Sequence, residues 1–130
     1  TATLGTGWLA GLQTPQQVAP VVAAIKEQSA AAGRPLDDDH YGAGFAYRFG
    51  SWDDPIVERA AGALRRRLQV DFDPSQYYAV GGSAEIIARA EDYKRAGVSK
   101  FVLSTLADND DELISQTQQL IDEVVPVVHD

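Results

Sequence analysis

Arg48 is the first candidate for a residue with a chemical role, because it ends a segment with clear alternation. In Tyr41–Phe49, YGAGFAYRF, the aromatic side chains fall on one face of a predicted strand. The other face carries Gly42, Gly44, Ala46 and Arg48. Small residues beside a cation leave space for a flat ring or a substrate, and the charge would attract a phosphate or a sulfonate. The alternative is an arginine that extends into solvent at a strand end.

The turn Gly81-Gly82-Ser83 is a second candidate, as a site for an anion. It precedes a predicted helix, and backbone N–H groups at a helix N-terminus bind phosphate well. The alternative is a tight turn in which Ser83 is the N-cap of the helix. Both interpretations stay open from the sequence.

Trp8, Trp52 and Ser104 are candidates for contact with a substrate. The two indole rings could line a binding site for a flat or apolar molecule, although aromatic residues more often pack in a core or at its rim. Ser104 ends a predicted strand, where its hydroxyl could bond a ring edge or cap the next loop.

His40 follows three acidic residues, Asp37–Asp39, which is a composition seen at metal sites. Because it begins a predicted strand and has no second histidine nearby, we predict no metal here. The sequence has no cysteine, which excludes disulfides and a thiolate nucleophile. It also lacks a Ser-His-Asp set and a P-loop, so the sequence identifies no catalytic residue.

The elements that position these residues alternate between strands and helices. Three parallel strands are expected near residues 4–9, 41–49 and 99–105, each followed by a helix, with an extra helix at 54–68 and a connector at 70–78. The helix after the Gly81-Gly82 turn has an apolar stripe and ends near Gly97. This order predicts an α/β fold with helices packed on a parallel sheet, either a small doubly wound sheet or part of a barrel.

The final helix is expected from about Asn109 to Val125, with a start resembling a capping box at Asn109 and Glu112. Its apolar residues are predicted to face inward: Leu113, Ile114, Leu120, Ile121, Val124 and Val125.

Several short motifs together resemble the bacterial luciferase-like monooxygenases, which use FMN or the deazaflavin F420. That family has a Gly-Thr/Ser-Pro-Glu turn, an amphipathic helix, an Ala-Gly-Val and a final strand. This sequence has Gly82-Ser83-Ala84-Glu85, Ala96-Gly97-Val98 and Phe101-Val102-Leu103, and near its start Gly5-Thr6-Gly7-Trp8. It departs from the pattern at Ala84, where the family has Pro, and at Thr6, where it has Asp. The resemblance covers most of the chain except Ser51–Tyr78.

The resemblance implies a single domain, residues 1–130, forming the C-terminal part of a (β/α)8 TIM barrel. A complete barrel needs roughly 250 residues, so we expect the chain by itself to do no chemistry. The implied activity is that of a flavin-dependent oxidoreductase or monooxygenase that uses reduced FMN or F420, and O2, on a small organic substrate. Arg48, Gly81, Gly82 and Ser83 would then bind the cofactor. The alternative is a non-catalytic half-barrel module that acts by self-association or by binding a partner.

Composition and patterning narrow the possible partners. The net charge of −8 disfavours nucleic-acid binding. No apolar run approaches the roughly 20 residues of a membrane span, so a soluble, cytoplasmic protein is expected. Three parallel strands cannot close a barrel, and their inner face would be uncovered. We therefore expect association with a second copy or with the missing N-terminal half of the barrel.

Overall fold

The computed structural model describes residues 1–129, and it shows parallel strands alternating with helices. The strands are β1 (Trp8–Leu9), β2 (Tyr41–Phe49), β3 (Tyr78–Gly81) and β4 (Lys100–Thr105). The helices are α1 (Pro15–Ala31), α2 (Pro55–Leu68), α3 (Ser83–Arg95), α4 (Asp110–Glu123) and α5 (Val125–Val128). Short 3₁₀ turns lie at Asp38–His40 and Pro74–Gln76.

Strand β2 pairs with each of the other strands. Its first residues pair in parallel with β1, as Trp8 with Tyr41, and its last four residues pair in parallel with β3. It also pairs with β4. The Ser99 N–H donates to the Tyr41 carbonyl at 2.9 Å and the Leu106 N–H donates to the Tyr47 carbonyl at 3.0 Å. Because the partners advance in the same direction, β4 is parallel to β2 as well.

The chain divides into two compact units, and the first unit contains residues 1–45 and 90–102. Its core joins α1 and α3 to the first half of β2. The ring of Phe45 stacks on that of Tyr93 with centroids 5.7 Å apart, and the Tyr93 hydroxyl donates to the Gln13 carbonyl at 2.6 Å. Gly97 has a φ of +97° and a Cβ there would lie 2.7 Å from Val22 Cγ1. Glycine at this helix end is thus required both by conformation and by space.

The second unit contains residues 46–89 and, among the described residues, 103–129. Its buried cluster lies between α2 and β3 and consists of Val57, Ala61, Leu64, Tyr78 and Val80. The Tyr78 hydroxyl donates to the Ala60 carbonyl at 3.2 Å, which satisfies the one polar atom that this ring brings into the cluster.

The predicted helices are confirmed, and α1 begins with a capping box between Thr14 and Gln17. The strand predicted at 4–9 was too long. A turn in which the Gly5 N–H donates to the Thr1 carbonyl at 2.7 Å occupies its first half, and only Trp8–Leu9 pairs. The prediction missed β3, a strand of 4 residues that was assigned to the connector and the following turn. Such a short segment has little periodicity of its own and becomes a strand through its pairing with β2.

The predicted inward face of α4 was partly wrong. Leu120 and Val124 are buried, but Leu113, Ile114, Ile121 and Val125 are exposed, and the polar Gln116 is buried instead. In the described part of the chain, no helix combines the length and the apolar character that crossing a membrane requires.

We expect Gly44→Ala to destabilise the fold, because a Cβ at this position would lie 2.6 Å from the Val102 carbonyl oxygen of β4. The two strands would have to separate, at a cost of about 1–3 kcal/mol in the free energy of unfolding. Urea denaturation measures this. Gly11→Ala is the matched control, since nothing lies within 4 Å of a Cβ there. Equal unfolding free energies for the two variants would show that the strands do not approach as closely as described.

Candidate functional site

In the second unit, the carboxyl end of β2 is built around the guanidinium group of Arg48. Its Nε donates to Asp54 Oδ2 at 2.8 Å, its Nη1 to the Leu106 carbonyl at 2.7 Å and its Nη2 to Glu112 Oε1 at 2.6 Å. The side chain is only 12% exposed. Arg48 thereby joins the loop before α2, the loop after β4 and the first turn of α4. We call this arrangement the Arg48 cluster: Arg48, Asp54, Leu106 and Glu112.

The two carboxylates of the Arg48 cluster also fix the loops in which they lie. Asp54 Oδ2 accepts a hydrogen bond from the Ser51 N–H at 3.1 Å, and Glu112 Oε2 accepts one from the Asp108 N–H at 2.6 Å. Asn109 is the N-cap of α4, where its side chain accepts from the Glu112 N–H at 2.9 Å. Each acid therefore satisfies one backbone donor in the loop before a helix, in addition to its contact with the cation.

Gln116 lies one turn after Glu112 on α4 and holds the last residue of β2. Its side-chain carbonyl accepts from the Phe49 N–H at 2.8 Å, and its amide donates to the Phe49 carbonyl at 2.8 Å. Neither Glu112 nor Gln116 is predicted from the sequence as a partner of this strand end. The signal that could have found them is their i, i+4 spacing, which puts two polar groups on one face of the helix.

The electrostatics of the Arg48 cluster favour the charged form of all three side chains. The hydrogen bond from Arg48, followed by that from the Ser51 N–H, lowers the pKa of Asp54. The hydrogen bond from Arg48, followed by that from the Asp108 N–H, lowers the pKa of Glu112. The hydrogen bond to Glu112 raises the pKa of Arg48 further. One cation faces two carboxylates, so the cluster carries a net charge of −1, which disfavours a bound anion. The predicted contact of Arg48 with a cofactor stays a prediction.

The Gly81-Gly82-Ser83 turn leads directly into α3, which begins at Ser83, so Gly82 and not Ser83 occupies the cap position. The Gly82 N–H donates to Glu85 Oε2 at 2.8 Å. Gly81 has a φ of +147°, and a Cβ there would lie 2.9 Å from Glu85 Cγ, so glycine is required. The carboxylate of the chain itself thus occupies part of the anion site that the sequence indicates. A role of these three residues in cofactor binding stays a prediction.

The candidate substrate residues lie at different places. Trp52 is exposed in the loop between β2 and α2, next to Ser51, and Ser104 is exposed on β4. Both belong to the second unit, at the end of the strands where the Arg48 cluster lies. Trp8 is half-buried on β1 in the first unit. No contact in the structure tests their predicted roles.

His40 lies with Asp37 and Asp39 at the start of β2, in the first unit. One ligand atom from each of the three lies within 4.8 Å of the others, and His40 Nδ1 is 2.9 Å from Asp39 Oδ1. Lys100 Nζ is 4.0 Å from Asp39 Oδ2 and partly matches the acidic charge. The two carboxylates are exposed, and exposed acidic groups are common without a metal ion.

The solved structures that resemble this chain include a dehydrogenase, a reductase and a monooxygenase. An F420-dependent secondary alcohol dehydrogenase matches 99% of the chain and 44% of its own length, with a TM-score of 0.72 and 18% identity. The F420-dependent tetrahydromethanopterin reductase of Methanopyrus kandleri matches 96% of the chain and 46% of its own, with a TM-score of 0.63 and 17% identity. The EDTA monooxygenase of Chelativorans sp. matches 98% of the chain and 40% of its own length, with a TM-score of 0.65 and 16% identity.

No protein-family model matches the sequence, and no curated protein matches it. The chain spans less than half of the length of the solved structures that it resembles. At identities below 20% the likeness establishes the fold. It confirms the prediction of part of a (β/α)8 barrel, and it confirms the luciferase-like resemblance at the level of the fold.

We expect Arg48→Met to lower the melting temperature at pH 7 by about 4 °C or more, because it leaves two carboxylates without their cation. In the native protein the pKa values of Asp54 and Glu112 are lowered. Their stabilisation is therefore fully present above the ordinary carboxyl pKa of about 4 and is lost as the pH falls through the lowered values. The variant should lose this pH dependence and unfold at a higher pH during acid titration.

Arg66→Met is the matched control, since Arg66 is an exposed arginine on α2. Thermal melts followed by circular dichroism between pH 2 and pH 7 measure both effects. If the Arg48 and Arg66 variants had the same melting temperatures across this range, the cluster would contribute nothing to stability.

Proposed function

We propose that this sequence is part of a flavin- or F420-dependent oxidoreductase of the luciferase-like class. The observation that carries the proposal is the fold. Its parallel β/α units match an F420-dependent dehydrogenase, an F420-dependent reductase and a monooxygenase along nearly the whole chain. The motifs around Gly82-Ser83-Ala84-Glu85 and Ala96-Gly97-Val98 support the same class independently of the fold.

The location of the candidate residues supports this proposal. In (β/α)8 barrels, the active site lies at the carboxyl ends of the strands. In the second unit, this end carries the loops after β2 and β4, which the Arg48 cluster fixes through Asp54 and Glu112. Trp52 is exposed in the first of these loops. We propose that Trp52 and Ser104 contact the substrate or the ring of the cofactor, and that the Arg48 cluster holds their loops in position.

Neither Arg48 nor the Gly81-Gly82-Ser83 turn provides a good anchor for the phosphate of FMN or F420. The cation of Arg48 is outnumbered by Asp54 and Glu112, and the Gly82 N–H is already bonded to Glu85. We therefore propose that this chain supplies one wall for the ring and that residues elsewhere in the enzyme bind the phosphate. This agrees with the resemblance, which implies that the family anchors the FMN phosphate largely on an earlier segment.

The cofactor and the type of reaction are also part of the proposal. Reduced FMN would serve a monooxygenase that uses O2, and F420 would serve hydride transfer, in each case on a small organic substrate. The resemblance to an F420-dependent dehydrogenase and to a monooxygenase supports both. A non-catalytic module that acts by association is the second candidate. The exposed apolar side chains of Leu9 and Val102 on the sheet favour it.

The test uses the polypeptide that contains this sequence, expressed from its natural gene. We expect equilibrium dialysis to show that it binds FMN or F420. Trp52→Phe should raise KM by about threefold to tenfold with an unchanged melting temperature, because a smaller ring loses part of an aromatic contact. Leu68→Ala, at an exposed apolar position of α2, is the control that should leave KM unchanged.

Two results would contradict different parts of the proposal. A purified protein that binds neither cofactor would refute the class of enzyme. A protein that binds one of them but has the same kinetic constants after Trp52→Phe would exclude Trp52 from the site and leave the class intact.

A further inference from the structure

The backbone pairing between β2 and β4 stops before β2 itself ends. The Leu106 N–H donates to the Tyr47 carbonyl at 3.0 Å. In a regular parallel ladder, the Leu106 carbonyl would next accept from the Phe49 N–H. In this structure the Leu106 carbonyl accepts from Arg48 Nη1 at 2.7 Å instead. The two strands therefore separate at the carboxyl end of the sheet, and the polar groups of the Phe49 backbone need other partners.

Gln116 of α4 supplies both of these partners. Its Oε1 accepts from the Phe49 N–H at 2.8 Å, and its Nε2 donates to the Phe49 carbonyl at 2.8 Å. Gln116 is only 7% exposed, so water competes little for either bond. The N–H belongs to the peptide unit before Phe49 and the carbonyl belongs to the unit after it. One side-chain amide thus fixes both of the peptide planes through which the chain leaves the sheet.

The segment that leaves the sheet at this point, residues 50–54, is a compact turn. The Asp54 N–H donates to the Ser51 carbonyl at 3.0 Å, and Asp54 Oδ2 accepts from the Ser51 N–H at 3.1 Å. Because these bonds hold the turn together, its direction depends on the peptide planes at Phe49. Trp52 lies in the middle of the turn, with 42% of its surface exposed.

We propose that Gln116 is a positioning residue, which fixes the backbone of Phe49 and thereby sets the orientation of Trp52. The orientation of the loop follows from the hydrogen bonds alone, whereas its effect on a bound molecule rests on the proposed function. A glutamine that only satisfied two backbone groups at a strand end would affect stability and nothing else.

Fluorine NMR of the polypeptide that contains this sequence, labelled with fluorotryptophan, tests the orientation directly. The resonance of Trp52 is the one that Trp52→Phe removes. Gln116→Leu leaves both backbone groups of Phe49 without a partner, so we expect the Trp52 resonance to shift or to split. Gln119→Leu is the matched control and should leave the resonance unchanged, because Gln119 is an exposed residue of the same helix that bonds Glu123.

Gln116→Glu is a milder variant of the same size. At neutral pH its carboxylate accepts from the Phe49 N–H but cannot donate to the Phe49 carbonyl. Burial raises the pKa of such a carboxyl group, and once protonated it donates again. We expect the Trp52 resonance of this variant to differ from the wild type at pH 7 and to return towards it at about pH 5. Asp54 and Glu112 stay charged over this range, since their pKa values are lowered.

A double-mutant cycle tests the consequence for the site. The readout is whichever constant Trp52→Phe raises, either the dissociation constant of FMN or F420 in equilibrium dialysis or KM. Gln116→Leu should raise the same constant by about threefold to tenfold, because a misplaced ring loses part of its aromatic contact. If Gln116 acts through Trp52, the two effects do not add, and the double variant resembles the weaker of the single variants.

Different results would overturn different parts of this inference. A Trp52 resonance that stays unchanged in both Gln116 variants, with circular dichroism melts confirming their fold, would refute the positioning role. Effects that add in the double variant would show that Gln116 does not act on the site through Trp52. A wild-type protein that binds neither FMN nor F420 would refute the proposed function, and the NMR comparison would still decide whether Gln116 orients the loop.

Discussion

Strand β2 is the constraint on which the rest of the structure depends, because β1, β3 and β4 all pair with it. One face of β2 needs bulky side chains, and the other face needs residues without a side chain. One carries Tyr41, Phe45 and Tyr47, which are buried. The other carries Gly42 and Gly44, where a Cβ would meet atoms of the neighbouring strands. A single strand thus combines a bulky face for the helices with a nearly flat face that lets its neighbours approach closely.

At the carboxyl end of β2, where barrel enzymes have their active sites, the charged Arg48 stabilises the fold by joining two loops and a helix. Arg48 and Phe49 are both held by α4, through Glu112 and Gln116. Because the guanidinium group has donors in a fixed plane, it can bond two carboxylates and a carbonyl at once. The result is a rim whose loops are fixed and whose net charge is negative. Such a rim is better suited to orienting a ring or a substrate than to holding a phosphate.

The chain has the fold of part of a barrel, and one side of its sheet leaves Leu9 and Val102 exposed. The solved structures that it matches are more than twice as long as the part that it covers. Leu9 and Val102 lie on the face of the sheet that a closed barrel would fill with side chains from its other strands.

The sequence by itself determined the alternation of strands and helices, since the periodicity of Tyr41–Phe49 and the caps at Thr14 and Asn109 are local signals. It also determined where glycine was required, as at Gly97. Only the tertiary structure decided that Arg48 contacts Glu112, because 64 residues separate them and no local pattern encodes such a pairing. The same holds for β3, which is a strand because β2 offers it hydrogen bonds, and for Gln116, whose burial depends on the backbone groups of Phe49. A polar group is buried where its partners are, and their positions are set by the fold as a whole.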